Sequence, residues 1–181
     1  MTAEVTRLNC GCGRTPTRGW INVDRNGGPG VDIAGDVREG LPLDESSVDC
    51  IASVHFLQEV PLDDLVPTLQ ELRRVLKPGG TIRLVLPDLD KGIRAYLDKD
   101  VEHFLVPDED ARSLGGKFIF HMLWYGHSRV LFTYDFIEEL LLKAGFSRVE
   151  RCACGETASA ISEILELDNR ENESLFVEAV K

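Results

Sequence analysis

Three short β-branched runs stand close together at the start of the chain, over residues 5–10, 20–24 and 31–36, joined by "GCGRTPTRG" and "RNGGPG". A crossover between parallel strands normally needs a dozen or more residues, usually a helix. Neither link has that length. The first link nevertheless opens on Gly11-Cys12-Gly13, the glycine turn at which such a helix would begin. The sequence therefore predicts a sheet whose first two crossovers are loops or single turns. Anything held at that turn must be held by local hydrogen bonds more than by a helix dipole.

Further candidate strands at 48–54, 80–87, 147–154 and 174–180 bring the sheet to about seven. Between 54 and 80, Leu62, Leu65, Val66, Leu69, Leu72, Val75 and Leu76 fall on one face of a 3.6-residue period. Asp63 and Asp64 near its start and Arg73, Arg74 and Lys77 near its end suit the helix dipole, and Pro78-Gly79-Gly80 should stop it. A second helix is expected in "TYDFIEELLLKAGF", with Thr133 as N-cap and Gly145 closing it. The predicted fold class is α/β: a Rossmann-like, mostly parallel seven-stranded sheet with its last strand antiparallel and shortened first crossovers.

One segment departs from this alternation. Residues 88–131 carry Tyr96, His103, Phe104, His121, Trp124, Tyr125 and His127 among two or three short helical patterns. An insertion at the C-terminal end of a strand is where an open α/β sheet builds its site. The expected organisation is one domain over 1–181, with 88–131 as a lid inserted after the fifth strand.

Composition narrows the partners. A formal net charge of −11 argues against nucleic acid, and the arginines at 7, 14, 18 and 25 read as solvated. No stretch reaches the ~20 apolar residues of a membrane span, and "MTAEVTRLNC" has no apolar signal region, so a cytoplasmic protein is expected. Five cysteines suit a reducing compartment. Cys10/Cys12 and Cys152/Cys154 form two C-x-C pairs. They lie on distant strands, so no metal site is expected.

The first strands end in a pattern that points to a nucleoside. Gly11 and Gly13 let backbone approach a ligand. Asp24, ending "INVD", could accept both hydroxyls of a ribose, and Asp36 ends the next run in "GDV". A dinucleotide fingerprint does not fit. Its third small residue would fall on Pro16, and Asp24 comes well short of the ~20-residue spacing.

These motifs, with "LNCGCG", "VDCIASVHFLQEV", "ELRRVLKPGGTIRLVLPD" and "LLLKAGFSRVE", resemble those of the class I S-adenosylmethionine-dependent methyltransferases, small type 11 subfamily. That resemblance implies S-adenosylmethionine as cofactor and methyl transfer to a small-molecule acceptor, a sugar or secondary-metabolite hydroxyl. The alternative is a non-catalytic module of the same fold that binds a protein partner. By resemblance, Asn9, Gly11, Cys12 and Gly13 lie under the methionine part, Asp24 meets the ribose, and Asp36 and Val37 flank the adenine. Ser53 and His55 face the sulfonium and acceptor. Asn9 stands where the family often has an acidic residue, and Gln58-Glu59 where some members have Glu-His.

A histidine beside a hydroxyl acceptor can take its proton. Tyr125 and His127, in the aromatic stretch "WYGHSRVLFT", are expected to face the acceptor, with His127 as the base, His55 the other catalytic candidate and His121 the lesser one. His103 reads as surface. The first strand begins close to Met1, so no capping helix is expected before it. Nothing in the sequence sets the oligomeric state.

Overall fold

A computed structural model describes residues 5–181; the expectation about a capping helix falls outside them. Seven strands form one sheet: β1 (Arg7–Cys10), β2 (Ile21–Asp24), β3 (Ile33–Ala34), β4 (Val48–Val54), β5 (Leu76–Pro87), β6 (Arg148–Cys152) and β7 (Ser174–Val180). Their order is β3-β2-β1-β4-β5-β7-β6. Strands β1 to β5 pair in parallel, while β7 runs antiparallel to both β5 and β6. The sheet order reverses direction at β1, and an open α/β sheet holds ligands outside the strand ends at such a switch point.

The two early crossovers contain no helix among the described residues, as their length required. β3 is shorter than the expected 31–36, because Val31 closes a turn onto Gly28 O (3.1 Å) and Asp36 instead caps a 3-10 turn at Val37–Glu39.

Four α-helices follow: α1 (Leu65–Val75), α2 (Leu89–Asp98), α3 (Leu114–Leu123) and α4 (Tyr134–Lys143). Leu65, Leu69, Leu72 and Val75 of α1 are buried with Ile137, Leu140 and Leu141 of α4 against Leu8, Ile51, Ile82 and Leu84 of the sheet. Removing one such leucine would cost ~2–5 kcal/mol. Leu62 leaves the predicted face, 60% exposed, because it sits in a 3-10 turn (Leu62–Asp64) that precedes the helix. The helix also ends before Pro78. Leu76 is already extended and paired with Val48, and residues 77–80 form an irregularity before Thr81 pairs with Cys50. Thr133 holds the N-cap position of α4, but its hydroxyl bonds the Asp135 carboxylate instead of the helix amides.

Right-handed crossovers on opposite sides of the switch point lie on opposite faces of the sheet. Helices α1 and α4 cover one face. The crossovers that would cover the other are the two that lack helices. The β6–β7 connection, residues 153–173, crosses that second face in their place. Ile164 packs with Trp20, Cys50 and Ala52. Glu163 pairs with Arg7 (3.0 Å), and Glu166 accepts from Trp20 Nε1 (3.1 Å). Arg83, fully buried on β5, donates to Asp168 (2.6 Å) and Glu178 (2.8 Å) and to the carbonyls of Ala153 and Glu156.

The insertion leaves β5 at Asp88 and returns at Phe132, where the two residues bridge in parallel. Asp88 caps α2 by accepting from Asp90 and Lys91 amides, so the exit angle is fixed. Nothing in the described chain crosses a membrane as a helix: no helix is long and apolar enough.

Candidate cofactor and acceptor cleft

Strand β1 delivers the chain to Gly11, whose φ of +76° suits glycine. A second constraint is sharper. A Cβ on Gly11 would stand 2.4 Å from Phe56 Cβ. The Gly11 and Cys12 amides donate to Val23 O on β2, which turns the chain across the tip of the neighbouring strand. Gly13 (φ +55°) then donates its amide to Asp24 Oδ2 at 2.9 Å, while Asp24 Oδ1 accepts from Asn26 N at 2.8 Å. Glycine turn and acidic strand end are thus one clasp.

A polar network beneath this clasp takes over what a helix would have done, and sequence reasoning did not single it out. Buried Asn22 Oδ1 accepts from Asn9 Nδ2 (3.1 Å) and Thr17 N (2.7 Å). Its Nδ2 donates to the carbonyls of Thr17 and Trp20, and its backbone amide donates to Asp32 Oδ2 (2.8 Å). Both trimmed crossovers are tied to this one side chain. The signal in the sequence was an asparagine inside the short strand "INVD". Asn9 is spent on this network, which accounts for its burial.

The clasp opens on a cleft of about 1280 Å³. Of the predicted residues, Asn9, Gly11, Cys12, Gly13, Asp24, Asp36, Val37, His55 and His127 all line it. Ser53 does not. It is buried opposite Leu84 on the helix-covered side, with its hydroxyl unpartnered among the described residues. Asp36 is engaged by Arg38 (2.6 Å), which also reaches Asp64 (2.9 Å). The guanidinium holds the Asp36 carboxyl down at about 2. Tyr125, expected to face the acceptor, instead donates to Asp110 at 2.7 Å and is not among the lining residues.

The insertion supplies His121, Trp124, His127, Ser128 and Arg129 to the cleft, and the 153–173 strap with its last residues supplies Leu167, Asn169, Arg170 and Glu173. The Arg129 and Val130 amides donate to Gln58 O (2.7 and 3.1 Å), stitching the insertion to the turn after β4. His55, at φ +49°, meets Ser174 Oγ at 2.9 Å; burial, with Arg170 and His121 nearby, lowers its pKa to about 4. His121 is likewise lowered to about 4 by burial, with His103 and Arg170 adding. His127 is exposed at the rim. His103, read as surface, is half-buried with its ring 5.6 Å from that of His121.

The donor set suits a nucleoside-bearing group. Nothing lies within 4 Å of where a Gly13 Cβ would stand, so that backbone is open to close approach. Asp24 spends one lone pair per oxygen on the clasp, which leaves capacity for a ribose diol. Among the described residues no group of three or more His, Cys, Asp and Glu could hold a metal.

The family described as "Methyltransferase domain" matches residues 8–84. An uncharacterised 37.1 kDa protein in transposon TN4556 of Streptomyces fradiae is 39% identical over 74 residues; the match takes in 40% of this chain and 21% of that protein. An S-adenosylmethionine-dependent methyltransferase of Archaeoglobus fulgidus superposes with a TM-score of 0.60 at 15% identity, covering 99% of this chain and 87% of its own. The 1,6-didemethyltoxoflavin-N1-methyltransferase of Burkholderia thailandensis, solved with 1,6-didemethyltoxoflavin and S-adenosylhomocysteine, gives 0.57 at 16%, covering 98% and 71%. The chain has the fold of the S-adenosylmethionine-dependent methyltransferases, and over residues 8–84, less than half of its length, it matches the family described as a methyltransferase domain.

Proposed function

We propose that the chain is an S-adenosylmethionine-dependent methyltransferase acting on a small-molecule acceptor, with a sugar or secondary-metabolite hydroxyl as the acceptor type. The observation that carries this reading is the clasp at the switch point, where the Asp24 carboxylate is held by the Gly13 and Asn26 amides at the wall of the cleft. When bound, S-adenosylmethionine supplies a methyl group on a sulfonium whose carbon–sulfur bond breaks with the electron pair staying on sulfur. The protein's own contribution is to bind and align. Asp24 takes the ribose hydroxyls, Gly11 to Gly13 lie along the methionine part, and Asp36 and Val37 stand at the adenine end. Residues 88–131 act as the acceptor-side lid, excluding water while donor and acceptor are held in line.

Calorimetric titration of the whole chain tests this. S-adenosylmethionine and S-adenosylhomocysteine should bind, and NAD should not. Absence of heat with both sulfur compounds overturns the reading in favour of a non-catalytic module with a protein partner.

A further inference from the structure

The cleft contains three buried polar atoms with no hydrogen-bond partner among the described residues: Gln58 Oε1, His121 Nδ1 and Ser128 Oγ. Their residues are 4%, 7% and 6% exposed. Leaving such an atom unpaired costs ~1–3 kcal/mol. Three on one cleft are a cost that something bound there can relieve.

Their neighbours fix what each can do. Gln58 Nε2 donates to His55 O at 2.6 Å, so the atom left over is the carbonyl oxygen, which can only accept. His121 Nε2 faces Glu173 Oε2 at 3.3 Å. A carboxylate at that distance favours the tautomer with the proton on Nε2, which leaves Nδ1 as a bare lone pair. The Phe104 and Trp124 rings pack edge-on to this imidazole, fixing its plane.

Resting on the methyltransferase reading above, we propose that His121, Gln58 and Ser128 form the acceptor subsite, and that His121 Nδ1 is the base for an acceptor presenting two hydrogen-bond donors. One donor is the O–H to be methylated. That atom gives its lone pair to the methyl carbon and its proton to Nδ1, from which the proton passes to water. The second donor, on the same small molecule, meets Gln58 Oε1. Glu173 is a positioning residue: it sets the tautomer and stabilises the imidazolium formed.

Access comes from the turn next to His121. Trp124, Tyr125 and Gly126 have φ of +44°, +56° and +89°, three left-handed residues in succession. Two of them have side chains, a conformation that costs ~1–3 kcal/mol per residue. His121 precedes this turn and Ser128 follows it, so a shift of the turn would expose both to the cleft. His127 sits exposed beyond the turn at the rim, near the exposed Glu59 carboxylate, whereas His121 is buried beside Glu173, which favours His121 as the base.

Nitrogen-resolved NMR of the histidine rings in the whole chain, saturated with S-adenosylhomocysteine, is the test. His121 should be neutral at pH 7 with its proton on Nε2, and Glu173→Gln should lose that tautomer preference while calorimetry shows S-adenosylhomocysteine still bound. Catechol should move the His121 Nδ1 resonance and bind at least ~10-fold more tightly than 1,2-dimethoxybenzene, which keeps the ring and loses both donors. A proton on Nδ1, an unchanged ring in Glu173→Gln, or no preference for catechol overturns the subsite. Failure of S-adenosylhomocysteine to bind overturns the methyltransferase reading instead, so the two failures are distinguishable.

Discussion

At the residue scale, the two glycines of the clasp are required for different reasons. Gly11 and Gly13 both have positive φ, but only Gly11 has Phe56 pressed against the position of a Cβ. The contact is with Phe56 Cβ, which cannot swing away as a side-chain tip would. Gly11→Ala should therefore lower the unfolding free energy measured in urea by more than Gly13→Ala, by ~1–3 kcal/mol, the scale of an overpacked core. Equal losses would mean that backbone conformation alone selects both glycines. Asp24→Ala should weaken S-adenosylhomocysteine binding by ~1–3 kcal/mol, since it removes a charged acceptor from the clasp and, on the proposed function, from the ribose. Calorimetry that finds normal affinity would place the ribose elsewhere. Glycines and acidic strand end were legible because their spacing follows from backbone chemistry. Asn22 was not, because a polar residue inside a short strand announces no partners until the loops around it are folded. Tyr125 misled because an aromatic stretch gives no direction to any one ring.

The absence of helices from the first two crossovers was legible at the scale of elements, since chain length alone forbids them. Their replacement was not. The strap over 153–173 has no α-helical period, only a 3-10 turn at Ser162–Leu167, and its anchors lie far away in sequence on Arg7, Trp20 and Arg83. Arg83 is the residue to test. Two carboxylates whose side chains are 5% exposed, Asp168 and Glu178, share one fully buried guanidinium. Truncating one partner of such a group leaves uncompensated buried charge, typically ~3–5 kcal/mol. Arg83→Ala should thus destabilise the fold by that amount in urea unfolding. It should also weaken cofactor-analogue binding, because Leu167, Asn169 and Arg170 of the strap line the cleft. Loss of less than ~1 kcal/mol would show that the strap is held by its apolar contacts, Ile164 above all.

For the whole molecule, two effects of acid oppose each other. Lowering the pH from 7 towards the sequence pI of about 4.8 reduces a net charge of −11, which relieves self-repulsion. The cleft acts the other way. His55, facing Arg170, His121 and Ser174, and His121, facing His103, Arg170 and Glu173, are both lowered from 6.5 to about 4. Between those values the unfolded chain binds protons that the native chain refuses, so stability rises with pH across the window. Their contribution is complete above 6.5 and is lost as the pH falls through 6.5 to about 4. Asp36, held at about 2 by Arg38, has a separate window: its contribution is present above 3.8 and lost only below it. Two buried imidazoles that must both charge outweigh a repulsion spread over a solvated and salt-screened surface. The urea midpoint should therefore fall between pH 7 and pH 5 although the chain approaches its pI. His55→Asn should flatten that fall, since asparagine tolerates the left-handed backbone at this position. A midpoint that climbs steadily towards the pI would mean that the histidines are solvated and the cleft is more open than its geometry implies.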